Sequence, residues 1–283
     1  MGPFKIVVCV KAVPDPKKGS PSFDPVTKTV RRAAQDLVMN LLDRHAVEEA
    51  LRIRGGFGGK VTVVSMGPPE AMPVLKESLA LGVDRAVLLS DRAFAGADTL
   101  ATSKTLALGI RKLGQFDLVL AGSESSDGAT GQVGPQLAEI LGIPFVPKAV
   151  KIELYNGAKP GPSSIDHTEC GEGVFAMVTG EVECGLREYR VRLPALFTVS
   201  RKINEPKGVT MMGILGSRGK EVEVLGAADI GASPGEVGAK GSPTLIRAVE
   251  GPPPGRQGEI ISGDPDEAVR ALVEKLRAKG VLV

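Results

Sequence analysis

FDLVLAGSESSDGATGQVGP, residues 116–135, runs from a charged residue through the apolar positions 118–121 into a turn with glycines at 122, 128, 131 and 134. Val133, Leu137 and Leu141 then repeat at helical spacing and stop at Gly142, with Pro144 beyond. A short apolar strand, a glycine-rich turn and a helix in this order form the junction at which parallel α/β sheets bind ligands, beyond the carboxyl ends of their strands. With Thr130 expected as the N-cap, the amides of Gly131, Gln132 and Val133 open a helix and suit a phosphate or pyrophosphate. No Lys-Ser or Lys-Thr follows the glycines, so the turn is not a Walker loop, and it does not follow the first strand as a dinucleotide fingerprint does.

The same rhythm continues outward. Apolar runs at 6–10, 61–65 and 86–89 join the one at 118–121, and Lys5, Lys60 and Asp117 introduce three of the four. Such runs suit strands buried on both faces of a parallel sheet. Between them lie helical stripes: Val47 and Leu51 after a possible N-cap at Asp43, Ala71, Leu75 and Leu79 ending at Gly82, and Leu106, Ile110 and Leu113. This alternation predicts an α/β fold with a doubly wound, mostly parallel sheet, a Rossmann-like nucleotide-binding arrangement. Residues 150–200 alternate as further strands of that sheet. From Asn204 the pattern loosens through Gly- and Pro-rich stretches toward an amphipathic helix at 265–279. The expected division is therefore an α/β nucleotide-binding domain at 1–224 and a C-terminal extension at 225–283, which the pattern reads equally as an arm and helix wrapping a partner or as a flexible tail with a docked helix.

Four segments follow the predicted strands, at 11–15, 65–68, 90–99 and 122–134, and all are rich in small or hydroxylated residues that let backbone amides approach a ligand. GADTLATS, 96–103, is a second helix start with Asp98 or Thr99 as N-cap. Other side chains promise less chemistry. His45 lies on a helix beside Glu48 and Glu49, which read as a solvated face, and His167 lies next to Asp166. Neither histidine belongs to a Ser-His-Asp arrangement. Cys9 reads as a small buried residue of the first strand.

Composition narrows the function classes. With 35 basic and 33 acidic residues in 283, the net charge of +2 offers no footprint for nucleic acid or an anionic membrane. The chain has no Trp and only 2 Tyr, too few for a base-stacking surface. Its three cysteines, Cys9, Cys170 and Cys184, are odd in number and lack metal spacing, which disfavours a disulfide scaffold and a zinc site. The apolar run in MGPFKIVVCVKAVPD is too short for a signal peptide or membrane span. These features predict a soluble, cytoplasmic protein, and any chemistry would belong to a bound cofactor.

Several motifs carry a resemblance through nearly the whole chain: KIVVCVKAVPD (5–15), VTVVSMGPPEA (61–71), LALGVDRAVLLSD (79–91), GADTLATS, the 116–135 stretch and RLPALFTVSRKINEPK (192–207). Together they resemble the β, or small, subunit of electron transfer flavoproteins. The resemblance implies a heterodimer with an α subunit that carries an electron-transferring FAD. It also implies a nucleotide site in this chain for either AMP or a second FAD. Asp127 to Pro135, Gly96 to Thr99, Lys11 to Asp15 and Asp24 to Thr27 are closest to the electron-bifurcating group. There the second FAD accepts electrons from NADH, NAD(H) being the donor. They are split between the α-subunit FAD, serving an acyl-CoA dehydrogenase or quinone reductase, and ferredoxin or flavodoxin. The alternative is a non-bifurcating subunit with structural AMP that docks partner dehydrogenases.

Carried over residue by residue, the implied nucleotide site comprises Cys9, Lys11, Asn40, Ser65, Met66, Asp98, Thr99, Thr102, Gly122, Ser123, Ser125, Asp127, Gly128, Thr130, Gly131, Gln132 and Val133. No catalytic side chain and no metal ligand is implied. Glu181 matches an acidic residue near the α-subunit flavin, and Met211, with Met212 adjacent, matches a hydrophobic anchor for partner dehydrogenases. Membrane association, where it exists, would come through partner subunits. Two departures stand out: Asn40 is followed by Leu41 rather than the usual proline, and Lys28 replaces a hairpin glycine.

Overall fold

The computed structural model describes residues 4–15, 17, 37–156, 173–245 and 258–282. The Asp24–Thr27 hairpin, Lys28, Asp166, His167 and Cys170 lie outside the described residues. The chain divides into two compact units, Met1–Arg247 and Ala248–Val283.

The first unit is built on a nine-stranded sheet of β1 (Lys5–Cys9), β4 (Lys60–Met66), β5 (Arg85–Leu89), β6 (Leu118–Gly122), β7 (Phe145–Asn156), β8 (Val174–Val182), β9 (Gly185–Arg192), β10 (Ala195–Val199) and β11 (Val222–Leu225). Their order is β11-β5-β4-β1-β6-β10-β7-β8-β9. The strands from β11 to β7 pair in parallel, and β8 and β9 extend the sheet antiparallel. Two short strands, β2 (Ala12–Pro14) and β3 (Leu37–Met39), form a separate antiparallel pair. Neither β2–β3 nor β11 shows in the periodicity, because three or four residues are too few to display alternation.

Side chains of a strand point alternately to opposite faces. In β1, Ile6 and Val8 pack into one buried cluster with Ala46, Val47 and Ala50 of helix α1 (Leu41–Phe57) and Val74 and Leu75 of α2 (Met72–Leu81). Val7 and Cys9 pack into the other, with Leu106 and Ile110 of α3 (Thr99–Leu113) and Leu137 of α4 (Val133–Leu141). Helices therefore cover both faces, and the expected doubly wound α/β fold is present. α2 ends, as expected, at Gly82 in a left-handed cap. Two short helices, α5 (Met211–Ser217) and α6 (Gly238–Gly241), precede and follow β11 in the chain.

The winding direction decides where a ligand fits. From β1 the chain adds β4 and β5 on one side, then returns to place β6 on the other. That reversal opens a crevice between the carboxyl ends of β1 and β6.

In the second unit, α7 (Pro265–Ala278) is capped by Asp264, which accepts from the Asp266 amide, and Lys275 pairs with Glu259.

Candidate nucleotide-binding site

The crevice is organised by the start of α1. Asp43 is buried, and its carboxylate accepts from the Lys11 amide after β1 at 2.8 Å and from the Gly122 amide at the end of β6 at 3.0 Å. One side chain thus joins the two strand ends that flank the reversal. Burial pushes the Asp43 carboxyl up to about 7, against the pull of its hydrogen bonds from Lys11, Asn40 and Gly122. The sequence reading of Asp43 as N-cap is corrected: Asn40 occupies that position, and Asp43 sits with Ala46, Val47 and Ala50 on the buried face of α1. An acid at i, i+3, i+4 and i+7 spacing with apolar residues was the available signal.

Asn40 makes no capping bond to its own helix. Its amide donates to the Glu124 carbonyl at 2.9 Å, and its carbonyl accepts from the Ser126 amide at 3.2 Å. Lys11 closes the same loop from the opposite strand, donating to Asp127 at 2.6 Å and Ser125 at 3.2 Å. The loop that follows β6 is therefore held over residues 124–127 while residues 128–132 remain exposed.

Two helix N-termini meet beside this loop. α4 begins at Val133 with no side-chain cap on its first turn, which leaves its leading amides without intrahelical acceptors. The expected Thr130 cap is corrected to Gln132, because residues 123–132 run as turn and coil before the helix starts. Of the two expected caps, Asp98 or Thr99, it is Asp98 that caps α3, accepting from the Ala101 amide at 2.9 Å. The Thr99 hydroxyl donates to the Gln132 side chain at 2.9 Å, and the Ser103 hydroxyl reaches the Thr99 carbonyl at 2.7 Å and Gln136 at 3.2 Å. Gly134 makes the approach possible, since a Cβ there would lie 2.5 Å from Thr198 Cγ2 on β10.

Asp98 also ties α3 to a distant segment. Its second oxygen accepts from the Thr244 hydroxyl at 2.8 Å and the Thr244 amide at 3.2 Å, fastening the segment after β11. Partial burial pushes its carboxyl up, but these bonds and the Ala101 amide hold it below the usual range. Thr102 lies half-buried on α3, and the Ser123 amide donates to Val199. The Asp98 amide donates to the Ser242 hydroxyl at 2.8 Å, and no sequence motif points to Ser242 or Thr244, which lie 144 and 146 residues beyond Asp98.

At the ends of β1 and β4, Cys9 is buried, and burial followed by the Asp43 charge pushes its thiol up to about 12. It is a packing residue, not a nucleophile. Ser65 is fully buried at the end of β4, and its hydroxyl has no hydrogen-bond partner among the described residues. Met66 beside it is half-buried. Unspent helix amides, small residues and an orphaned hydroxyl fit a phosphate-bearing nucleotide.

The model of the electron transfer flavoprotein domain matches residues 27–230. The chain belongs to the electron transfer flavoprotein family, on its β-subunit branch. It is 42% identical over 280 residues to the electron transfer flavoprotein subunit beta of Thermoanaerobacterium thermosaccharolyticum, covering 99% of this chain and 100% of that one. It is 40% identical over 274 residues to the protein of that name from Clostridium acetobutylicum, covering 97% and 98% of the two chains. It is 38% identical over 281 residues to the caffeyl-CoA reductase-Etf complex subunit CarD of Acetobacterium woodii, covering 99% and 100%.

Two predicted partner-facing positions lie on other elements of this flavoprotein-family fold. Glu181 on β8 accepts from Lys202 at 2.6 Å, and that bond foremost lowers its pKa. Met211 and Met212 open the short helix α5 and are 72% and 76% exposed. The predicted solvated face of α1 is corrected. Glu49 is fully buried, bonded to Arg52 at 2.6 Å, and His45 is buried against Asn204 at 3.0 Å. Among the described residues there is no cluster of side chains able to hold a metal and no helix long and apolar enough to cross a membrane.

Proposed function

We propose that this chain is the nucleotide-binding β subunit of a heterodimeric, electron-bifurcating electron transfer flavoprotein. In this reading its crevice holds a FAD that receives electrons from NADH. One share goes to the α-subunit FAD, and from there to an acyl-CoA dehydrogenase or quinone reductase; the other goes to ferredoxin or flavodoxin. The supporting observation is the meeting of two helix N-termini, joined by the Thr99–Gln132 hydrogen bond, at the reversal between β1 and β6.

When bound, FAD supplies the exchange between two-electron and one-electron transfer. The protein's own contribution is binding and orientation. The first amides of α4, with the Thr99 hydroxyl beside them, would hold a phosphate group; Asn40, Asp43 and Lys11 hold the loop that follows β6; Ser65 offers a hydroxyl at the neighbouring strand end. The exposed Met211 and Met212 form an adaptable apolar surface for a partner flavoprotein, since thioether chains repack easily. The arm from residue 225 and the helix α7 contribute to the α-subunit interface, and the complex works in the cytoplasm. Similarity to a subunit named for a caffeyl-CoA reductase complex supports a partner of the acyl-CoA reductase type.

The test is the nucleotide content of the co-expressed α–β complex after acid release and chromatography. About two FAD per heterodimer without AMP supports the reading, because the α subunit accounts for one flavin. One FAD and one AMP would make this chain a structural and docking subunit.

A further inference from the structure

We infer that helix α1 is a common anchor for the nucleotide loop and the partner-docking helix, with Asn204 as the positioning residue that links nucleotide occupancy to the presentation of Met211 and Met212. The inference rests on the proposed function, since it needs a nucleotide in the crevice.

The start of α1 grips the loop after β6 through Asn40 and Asp43. One to two turns later the same helix grips the linker that leads to α5. Asn204 accepts from His45 Nδ1 at 3.0 Å and donates to the His45 carbonyl at 3.1 Å and to Glu49 at 3.3 Å. Glu49 is itself buried and fixed by two bonds from Arg52, which also donates to the Ile152 carbonyl of β7 at 2.7 Å. Three residues beyond Asn204, the Lys207 amide donates to Glu48 at 3.2 Å, with the Lys207 ammonium 3.7 Å from the same carboxylate.

From there α5 is seated on α2. A Cβ at Gly213 would collide with the Ala80 carbonyl oxygen, so the two helices meet backbone to backbone. Lys220, past the end of α5, donates to the Val83 carbonyl at 2.8 Å. Met211, Met212, Ile214 and Leu215 are thus exposed on a segment held at residues 204, 207, 213 and 220. Such an apolar patch is preorganised, and its ordering cost is met before a partner arrives.

Asn204 carries most of the grip of α1 on the linker, beside the Lys207–Glu48 contact. Its three bonds all go to α1, and both ends of its amide are engaged. A nucleotide that orders the loop after β6 restrains Asn40 and Asp43, hence the start of α1. Through Asn204 that restraint reaches the linker and the docking helix. Coupling of this kind is reciprocal: a partner on α5 tightens nucleotide binding by the same factor.

The experiment is hydrogen exchange on the purified α–β complex, loaded and then stripped of nucleotide by high-salt dialysis, with released nucleotide quantified on the same sample. In the wild type, stripping should speed exchange of the Lys207 and Ile214 amides by about five-fold or more, the lower end of typical couplings. Asn204→Ala should bring the loaded rate at Ile214 most of the way to the stripped rate, with nucleotide content unchanged; a loaded-to-stripped difference as large as in the wild type overturns the role of Asn204. The variant should also raise KM for an acyl-CoA dehydrogenase partner while leaving kcat unchanged, a split that general destabilisation would not produce. Equal exchange at Lys207 and Ile214 in loaded and stripped wild type overturns the coupling alone. A complex that releases no nucleotide beyond the α-subunit flavin overturns the proposed function and the coupling together.

Discussion

Replacing Asp43 by asparagine tests the central joint of the crevice, because it removes ionisation while keeping shape. In the folded protein the Asp43 carboxyl is pushed up to about 7, first by burial, from an ordinary value of 3.8. The folded state therefore holds this proton across a window in which the unfolded chain has lost it. The stability it contributes is fully present below the unfolded value and is lost as pH rises through about 7. A difference of about three pKa units corresponds to about 4 kcal/mol, and about 3 kcal/mol of it falls between about pH 5 and pH 8. The substituted amide does not titrate, so urea unfolding of the Asp43→Asn complex should show a shallower fall in stability over that range. The same variant turns an NH2 toward either the Lys11 or the Gly122 amide and forfeits one hydrogen bond. Asp43→Ala forfeits both and leaves two buried donors unmet, at about 1–3 kcal/mol each. The alanine variant should accordingly be the less stable of the two and should retain less nucleotide. An Asp43→Asn variant with the same pH slope as the wild type would refute the assignment of a buried, proton-holding carboxyl at this joint.

Gly134→Ala places a methyl group 2.5 Å from Thr198 Cγ2. It should cost about 1–3 kcal/mol by overpacking and lower bound nucleotide in the purified complex, by lifting the start of α4 from β10. The double variant Met211→Asp, Met212→Asp changes two exposed side chains, so thermal stability should stay within about 0.5 kcal/mol of wild type. Its KM for a partner dehydrogenase should rise at least several-fold, and an unchanged KM would remove these methionines from the docking surface.

Periodicity made the central strands and their helices legible, because strands buried on both faces and helices with one apolar stripe impose different repeats. β1, β4, β5 and β6 fall within a residue or so of the expected runs, and the Asp98 cap and the Gly82 stop were readable from residue type and place. Residue type misled where a polar group was buried. Glu49 and Asp43 resemble ordinary helix-surface and first-turn acids until one sees what covers them: the α1 face toward Asn204, and the backbone ends of β1 and β6.

The sequence by itself determined which segments alternate as strand and helix, that the richest ligand-binding turn follows β6, and which family the motifs resemble. Those are local properties, set by side-chain polarity, β-branching and the conformational range of glycine within a few residues. Only the tertiary structure decided that β6 lies beside β1, that Asp43 joins them from 79 residues before Gly122, and that Asn204 reaches back 159 residues to His45. Strand order and buried polar partners depend on how distant segments share space, and no local pattern encodes which amide a buried carboxylate will meet.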